Sequence, residues 1–144
     1  MPPTLEERVF EDLLRAADYL LRAEVEVLRE EGLTFPQYNV LRILRGAGPA
    51  GLSCGQIGER MVNRDSDLTR ILDHLTRRGL TARSRDELDR RIVVATITEP
   101  GLRLLQTLDG PVRRVHRERL AHLERAELER LRALLESARS PAQA

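Results

Sequence analysis

Apolar residues recur at threes, fours and sevens through the first thirty positions. Leu5, Val9, Leu13, Ala16, Leu20 and Val27 fall on one stripe, so the spacing predicts a helix over 5–31 that Gly32 ends. Arg8, Arg15, Arg22 and Arg29 repeat at seven-residue intervals among glutamates, which reads as a solvated, ion-paired face. Thr34 is placed to cap a second helix with Pro36 in its first turn and Tyr38, Val40, Leu41 and Leu44 as its stripe. The glycine-rich run 46–51 stops it. Ser53 and Gln56 have capping-box spacing and open a short third helix to about Val62. After the polar turn Asn63-Arg64-Asp65, Leu68, Ile71, Leu72 and Leu75 give one clean apolar face up to Gly79. Two short helices joined by a tight turn are therefore expected.

Beyond Gly79 the period changes. Ile92 to Ile97 is a β-branched run preceded by the polar segment 85–91, which predicts a β-hairpin with a charged tip. Thr98 then caps another helix, with Pro100 in its first turn and Leu102, Leu104, Leu105 and Leu108 spaced for burial. Gly110-Pro111 is expected to kink or break it. A last helical stretch carries Val112, Val115, Leu120, Leu123, Leu128, Leu131 and Leu135 and frays into 140–144. The resulting class is mainly α with a small β-hairpin (α+β).

Composition narrows the function. A chain of 144 residues, 41% hydrophobic and 33% charged, is expected to form one globular domain. No run approaches the ~20 apolar residues of a membrane span, and the acidic start lacks the basic and apolar regions of a signal peptide. A cytoplasmic protein with no membrane association is expected. The single cysteine, Cys54, has no internal disulfide partner. The net charge of +1 conceals an asymmetry: residues 1–32 hold nine acids and four arginines, residues 60–91 nine arginines and six acids. Every basic residue is arginine, which suits planar contacts to phosphate and guanine edges and also fits the coding bias of a GC-rich genome.

Stepping residues of the fourth helix by 100° sets Ser66, Arg70, Asp73 and Arg77 opposite the apolar face, with His74 beside them. A helix that packs on one side and offers donors on the other fits insertion into a DNA major groove, and Arg64 in the preceding turn joins the set. A solvated face is the plain alternative, since Asp73 is spaced to neutralise both Arg70 and Arg77. The hairpin strengthens the DNA reading, because Arg83, Arg85, Arg90 and Arg91 make a narrow cationic projection of the kind a minor groove attracts. Asp86, Glu87 and Asp89 oppose that attraction unless they are paired. Asp89 is expected to pair with a neighbouring arginine and stabilise the wing.

The runs Leu33-Thr34-Phe35-Pro36-Gln37-Tyr38-Asn39-Val40-Leu41, Leu68-Thr69-Arg70-Ile71-Leu72-Asp73-His74-Leu75, Arg78-Gly79-Leu80, Asp89-Arg90-Arg91 and Ile97-Thr98-Glu99-Pro100-Gly101 together resemble the MarR family of winged helix-turn-helix transcriptional regulators. The resemblance spans nearly the whole chain. It implies one domain over 1–144, with 34–98 as the DNA-binding part and 5–32 and 99–138 as dimerisation helices. It further implies a homodimer on a pseudo-palindromic double-stranded operator, most often as a repressor. By position it assigns DNA contacts to Ser66, Thr69, Arg70, His74 and Arg77 and to a wing arginine, Arg90 or Arg91; Thr69 turns toward the flank. It also implies a small aromatic or anionic effector, for which Tyr38 most resembles a pocket-lining position, although core packing is the commoner role for such a residue. No cofactor is implied.

Other classes fit less well. The histidines His74, His116 and His122 have no neighbouring cysteine pair, so neither a metal site nor catalysis is expected, and no phosphate loop or nucleophile elbow is present. Two readings stand against ligand-gated DNA binding: a winged-helix module that contacts protein, and a redox-responsive regulator acting through Cys54 at a helix start.

Overall fold

Each of the first three helices begins on a hydroxyl residue that exchanges hydrogen bonds with the residue three positions on. Thr34 Oγ1 accepts from the Gln37 backbone N–H at 3.3 Å and the Thr34 N–H donates to Gln37 Oε1 at 3.0 Å; Ser53 and Gln56 repeat this, as do Thr4 and Glu7. Free N–H groups at three helix starts are thus satisfied locally. A computed structural model describes residues 1–63 and 67–140. Its elements are α1 (Leu5–Glu30), α2 (Phe35–Ala47), a 3-10 turn, β1 (Leu52–Ser53), α3 (Cys54–Arg60), α4 (Leu68–Arg77), β2 (Thr81–Arg85), β3 (Val93–Ile97), α5 (Glu99–Arg119) and α6 (Arg125–Arg139). The mainly helical class with a small antiparallel sheet is as the periodicity predicts.

The sheet has the order β1-β3-β2. The hairpin pairs Thr81 with Ile97 through Arg85 with Val93. The two-residue β1 adds Leu52 opposite Ala95 on the other edge. Two residues are too few for an alternation to register, so this third strand is absent from the sequence reading.

One core joins α1 through α5 with β1 and β3, while α6 contributes no buried residue to it. Leu28 of α1, Val40, Leu41 and Leu44 of α2, Ile57 of α3, Leu75 of α4, and Leu105 and Leu108 of α5 are all but inaccessible to solvent. Two polar contacts reinforce the packing of α5: Arg45 makes a bidentate bond to Asp109 at 2.9 and 3.0 Å, and His116 Nε2 lies 2.7 Å from the Oε2 of buried Glu24. The hydrogen bond to Asp109 raises the pKa of Arg45 further.

Of the kink or break expected at Gly110-Pro111, the break is not found, so the helical stretch 99–138 divides elsewhere. α5 runs through Pro111 to Arg119, and the chain turns at 120–124 before α6. Leu105, Leu108 and Val112 straddle the proline and are all buried. Their burial outweighs the interior cost of proline, about 3 kcal/mol. The new helix begins where the Glu124 N–H donates to the Glu127 carboxylate at 2.8 Å, a start without glycine or proline to announce it.

Candidate nucleic-acid interface

Leu68, Ile71, Leu72 and Leu75 of α4 are buried, which turns Thr69, Arg70, Asp73 and Arg77 outward, with His74 partly exposed at the margin. Arg64 and Ser66 lie outside the described residues. Thr69 is exposed with the others. Between α4 and the start of α2 lies an open groove of about 650 Å³ walled by Thr34, Pro36, Gln37, Asp67, Arg70, Ile71, His74 and Arg77. The basic side chains of α4 and the positive end of a capped helix thus border one concavity.

The ion pairing differs from that expected of helical spacing. The Asp73 carboxylate accepts from Arg83 of β2 at 2.5 Å and pairs with neither of the arginines on its own helix. Arg70 reaches Asp67 at 3.3 Å, and Arg77 Nε donates to the Asp73 backbone carbonyl at 3.4 Å. The Asp73–Arg83 bond and a 3.0 Å contact between the Thr76 and Thr81 hydroxyls fasten the hairpin to the flank of α4. At its base, Thr98 Oγ1 donates to the Gly79 carbonyl at 2.6 Å. Helix and hairpin therefore form one rigid cationic surface.

The hairpin tip is ordered by its own side chains. Asp89 accepts from the Arg91 backbone N–H at 3.1 Å and from Arg91 Nε and Nη2 at 3.0 and 3.1 Å. Asp86 accepts from the Leu88 N–H at 2.8 Å, and Arg85 donates to the Arg90 carbonyl at 2.9 Å. Two of the three tip carboxylates are thereby engaged, while the Arg90 and Arg91 side chains stay at the surface. Hydrogen bonds from the Arg91 side chain first, then its backbone N–H, hold the Asp89 carboxyl below its ordinary pKa of 3.8.

A depressed folded-state pKa means this contribution is present above the unfolded carboxylate value and lost as pH falls through the lower folded value. The wing is therefore expected to keep its order from neutral pH down to the carboxylate range and to loosen only below it. Carbon-detected NMR titration of Asp89 checks this, with a midpoint under 3.8 expected; a midpoint at or above that value removes Asp89 as an anchor of the tip.

Tyr38 is 2% exposed and packs in the core. Burial pushes its hydroxyl pKa up, opposed in part by Arg42, whose guanidinium lies 5.8 Å from the ring centroid. Cys54 is exposed at the first position of α3. Sequence reasoning missed Asn39, whose Oδ1 accepts from the Val62 N–H at 2.9 Å and fastens the end of the α3 segment to α2. Its partner is 23 residues away, beyond any local spacing rule. Among the described residues no group of three or more His, Cys, Asp or Glu is placed to hold a metal, and no helix is long and apolar enough to cross a membrane.

A short capped helix, a turn, a helix with an outward basic face and an antiparallel hairpin on its flank define a winged helix-turn-helix protein. The family profile of the MarR family matches residues 33–93. A MarR transcription factor from Planctomyces limnophilus is 37% identical, with a TM-score of 0.72 over 94% of this chain and 98% of that one. BpsR of Bordetella bronchiseptica, whose DNA binding is regulated by 6-hydroxynicotinic acid, is 25% identical with a TM-score of 0.86 over 99% of this chain and 100% of that one. The transcriptional regulator TtmR of Methylorubrum extorquens is 33% identical over 108 residues, which are 75% of this chain and 54% of TtmR. The chain therefore spans little more than half the length of that curated relative. It belongs to the MarR family of winged helix-turn-helix transcriptional regulators, a family of regulators and not of enzymes.

Proposed function

We propose that the chain binds double-stranded DNA as a homodimer and represses transcription until a small aromatic or anionic effector enters. In this reading α4 lies in the major groove, with Thr69, Arg70, His74 and Arg77 toward base edges and phosphates and the sequence-assigned Arg64 and Ser66 at its leading end. Arg90 and Arg91 reach the adjacent minor groove from the wing. Residues 34–98 form the reading unit, and 5–32 with 99–138 join the two copies.

The observation that carries the DNA reading is that one face of α4 fills the core while the other, fastened to the wing through Asp73 and Arg83, presents only polar and charged groups. The dimer is supported by large apolar side chains left exposed on one chain: Leu5, Val9, Phe10, Leu13 and Leu14 on α1, and Leu131, Leu134 and Leu135 on α6. The regulation of BpsR by an aromatic carboxylate supports the effector class.

Salt dependence tests the reading against a protein-contact module. Log affinity for the DNA upstream of the chain's own gene is expected to fall steeply with log salt, and the slope to shrink by about 1 for each phosphate-contacting arginine removed. Arg70→Ala is expected to weaken specific binding by about 1–3 kcal/mol if that side chain reaches a base edge. The pair Arg90→Ala and Arg91→Ala is expected to leave folding intact and weaken binding. Absence of duplex binding even at low ionic strength rejects the proposal in favour of a protein-contact role.

A further inference from the structure

The residue that follows α4 does not point where its neighbours point. Arg78 turns back across the molecule: its Nη2 donates to the Glu31 carbonyl at 3.0 Å and its Nη1 to the Gly32 carbonyl at 3.1 Å. Those carbonyls belong to the turn that closes α1, where Gly32 adopts a φ of +68°. The last carbonyls of a helix carry its partial negative charge, so a cation there gains from the field as well as from two hydrogen bonds. The planar fork of a guanidinium spans two successive carbonyls at once, which fixes direction as well as distance.

Arg78 thus ties the end of α1 to the end of α4, across 46 and 47 residues of sequence. The opposite flank of α4 is tied to the wing by Asp73–Arg83 and Thr76–Thr81. α1 also carries, in its first half, the exposed apolar stripe from Leu5 to Leu14. In the homodimer reading, on which this inference rests, that stripe meets the second copy. One direct link from the dimer seam to the DNA-reading helix therefore runs through α1 and the Arg78 fork, beside the shared packing of α1 and α4 on α2. Two reading helices must sit about 34–36 Å apart to enter successive major grooves. Their separation depends on the angle at which each α4 leaves its α1.

We propose that Arg78 is a positioning residue: by holding α4 at a set angle to α1, it determines the half-site spacing that the regulator accepts. It touches no DNA in this scheme and acts through α4.

The test has two arms. In the first, spin labels are attached in a Cys54→Ser background at Arg15→Cys on α1 and Thr69→Cys on α4, and the labelled protein is diluted into unlabelled protein. The intramolecular distance distribution, measured without DNA, is expected to be narrow with Arg78 present, broad in Arg78→Ala, and intermediate in Arg78→Lys, whose ammonium serves one carbonyl at a time. In the second, unlabelled protein is titrated with its operator and with versions carrying two base pairs inserted between the half-sites. Discrimination of about tenfold or more is expected to fall to about threefold or less in Arg78→Ala and to recover in part in Arg78→Lys, with the non-specific salt slope unchanged. Circular dichroism confirms that each variant is folded.

An unchanged distance distribution in Arg78→Ala overturns the proposal, and so does a broadened one with spacing discrimination intact. A wild-type protein that binds no duplex rejects the DNA reading instead, while the distance arm still shows whether Arg78 sets the angle.

Discussion

Substituting Phe10→Glu and Leu134→Glu together is expected to halve the mass in solution to that of one chain, 16.4 kDa, by sedimentation or light scattering. Operator affinity is expected to fall by about 100-fold or more, because linked half-site binding gains 10²–10⁴ over a single module. Both side chains stand largely in solvent within one chain, Phe10 at 62% and Leu134 at 56% exposure, so the substitutions remove nothing from the core that builds the winged helix. What they change is the surface offered to a second copy, where burying four carboxylates per dimer carries a desolvation cost. A double variant that stays dimeric places the seam elsewhere on the chain. One that becomes monomeric while keeping full operator affinity removes dimerisation from the mechanism.

Gly51→Ala is expected to be the most destabilising single-methyl substitution in the DNA-reading unit, at about 3 kcal/mol or more in urea unfolding. Two effects combine there. Gly51 has a φ of +70°, where a side chain is strained, and an added Cβ would lie 2.4 Å from the Ala95 carbonyl oxygen and 2.7 Å from Thr96 Cγ2. The neighbour is the backbone of the central strand β3, which cannot move without disturbing its pairing with both β1 and β2. Gly110→Ala is the matched control: Gly110 lies inside α5, and an added Cβ there meets no neighbouring element within 4 Å. That substitution is expected to stabilise by about 0.5–1 kcal/mol, the helix-propensity difference between the two residues. A Gly51→Ala protein as stable as wild type would show that the turn before β1 is free to open.

Local chemistry was readable in the order of residues. The caps at Thr34 and Ser53, the stop at Gly79 and the cap at Thr98 all depend on contacts within three or four positions, and each is present. The apolar stripe of α4 was equally legible, because a period of 3.6 assigns its inward and outward faces before any partner is known. The break that the same reasoning allowed at Pro111 does not occur. Proline lowers helix stability locally, but Leu105, Leu108 and Val112 gain more by burial on one continuous face than the break would recover.

Charge pairing on the candidate interface was less accessible. Asp73 was spaced to meet Arg70 or Arg77 on its own helix, yet the fold brings Arg83 of the adjacent strand within 2.5 Å. Tyr38 resembled a pocket-lining position although core packing is the commoner role, and its place in the packed interior follows from helices that approach it from distant parts of the chain.

The linear order of residues thus settled the helical segments up to Gly79, which face of each is apolar, and that a cationic hairpin follows a basic helix, since all of these arise from interactions a few residues long. The angle between α1 and α4, the pairings Arg45–Asp109 and Glu24–His116, the third strand and the unbroken course of α5 were settled by packing. Their partners stand tens of residues apart, and no periodicity encodes which distant surfaces will meet when a shared core excludes water.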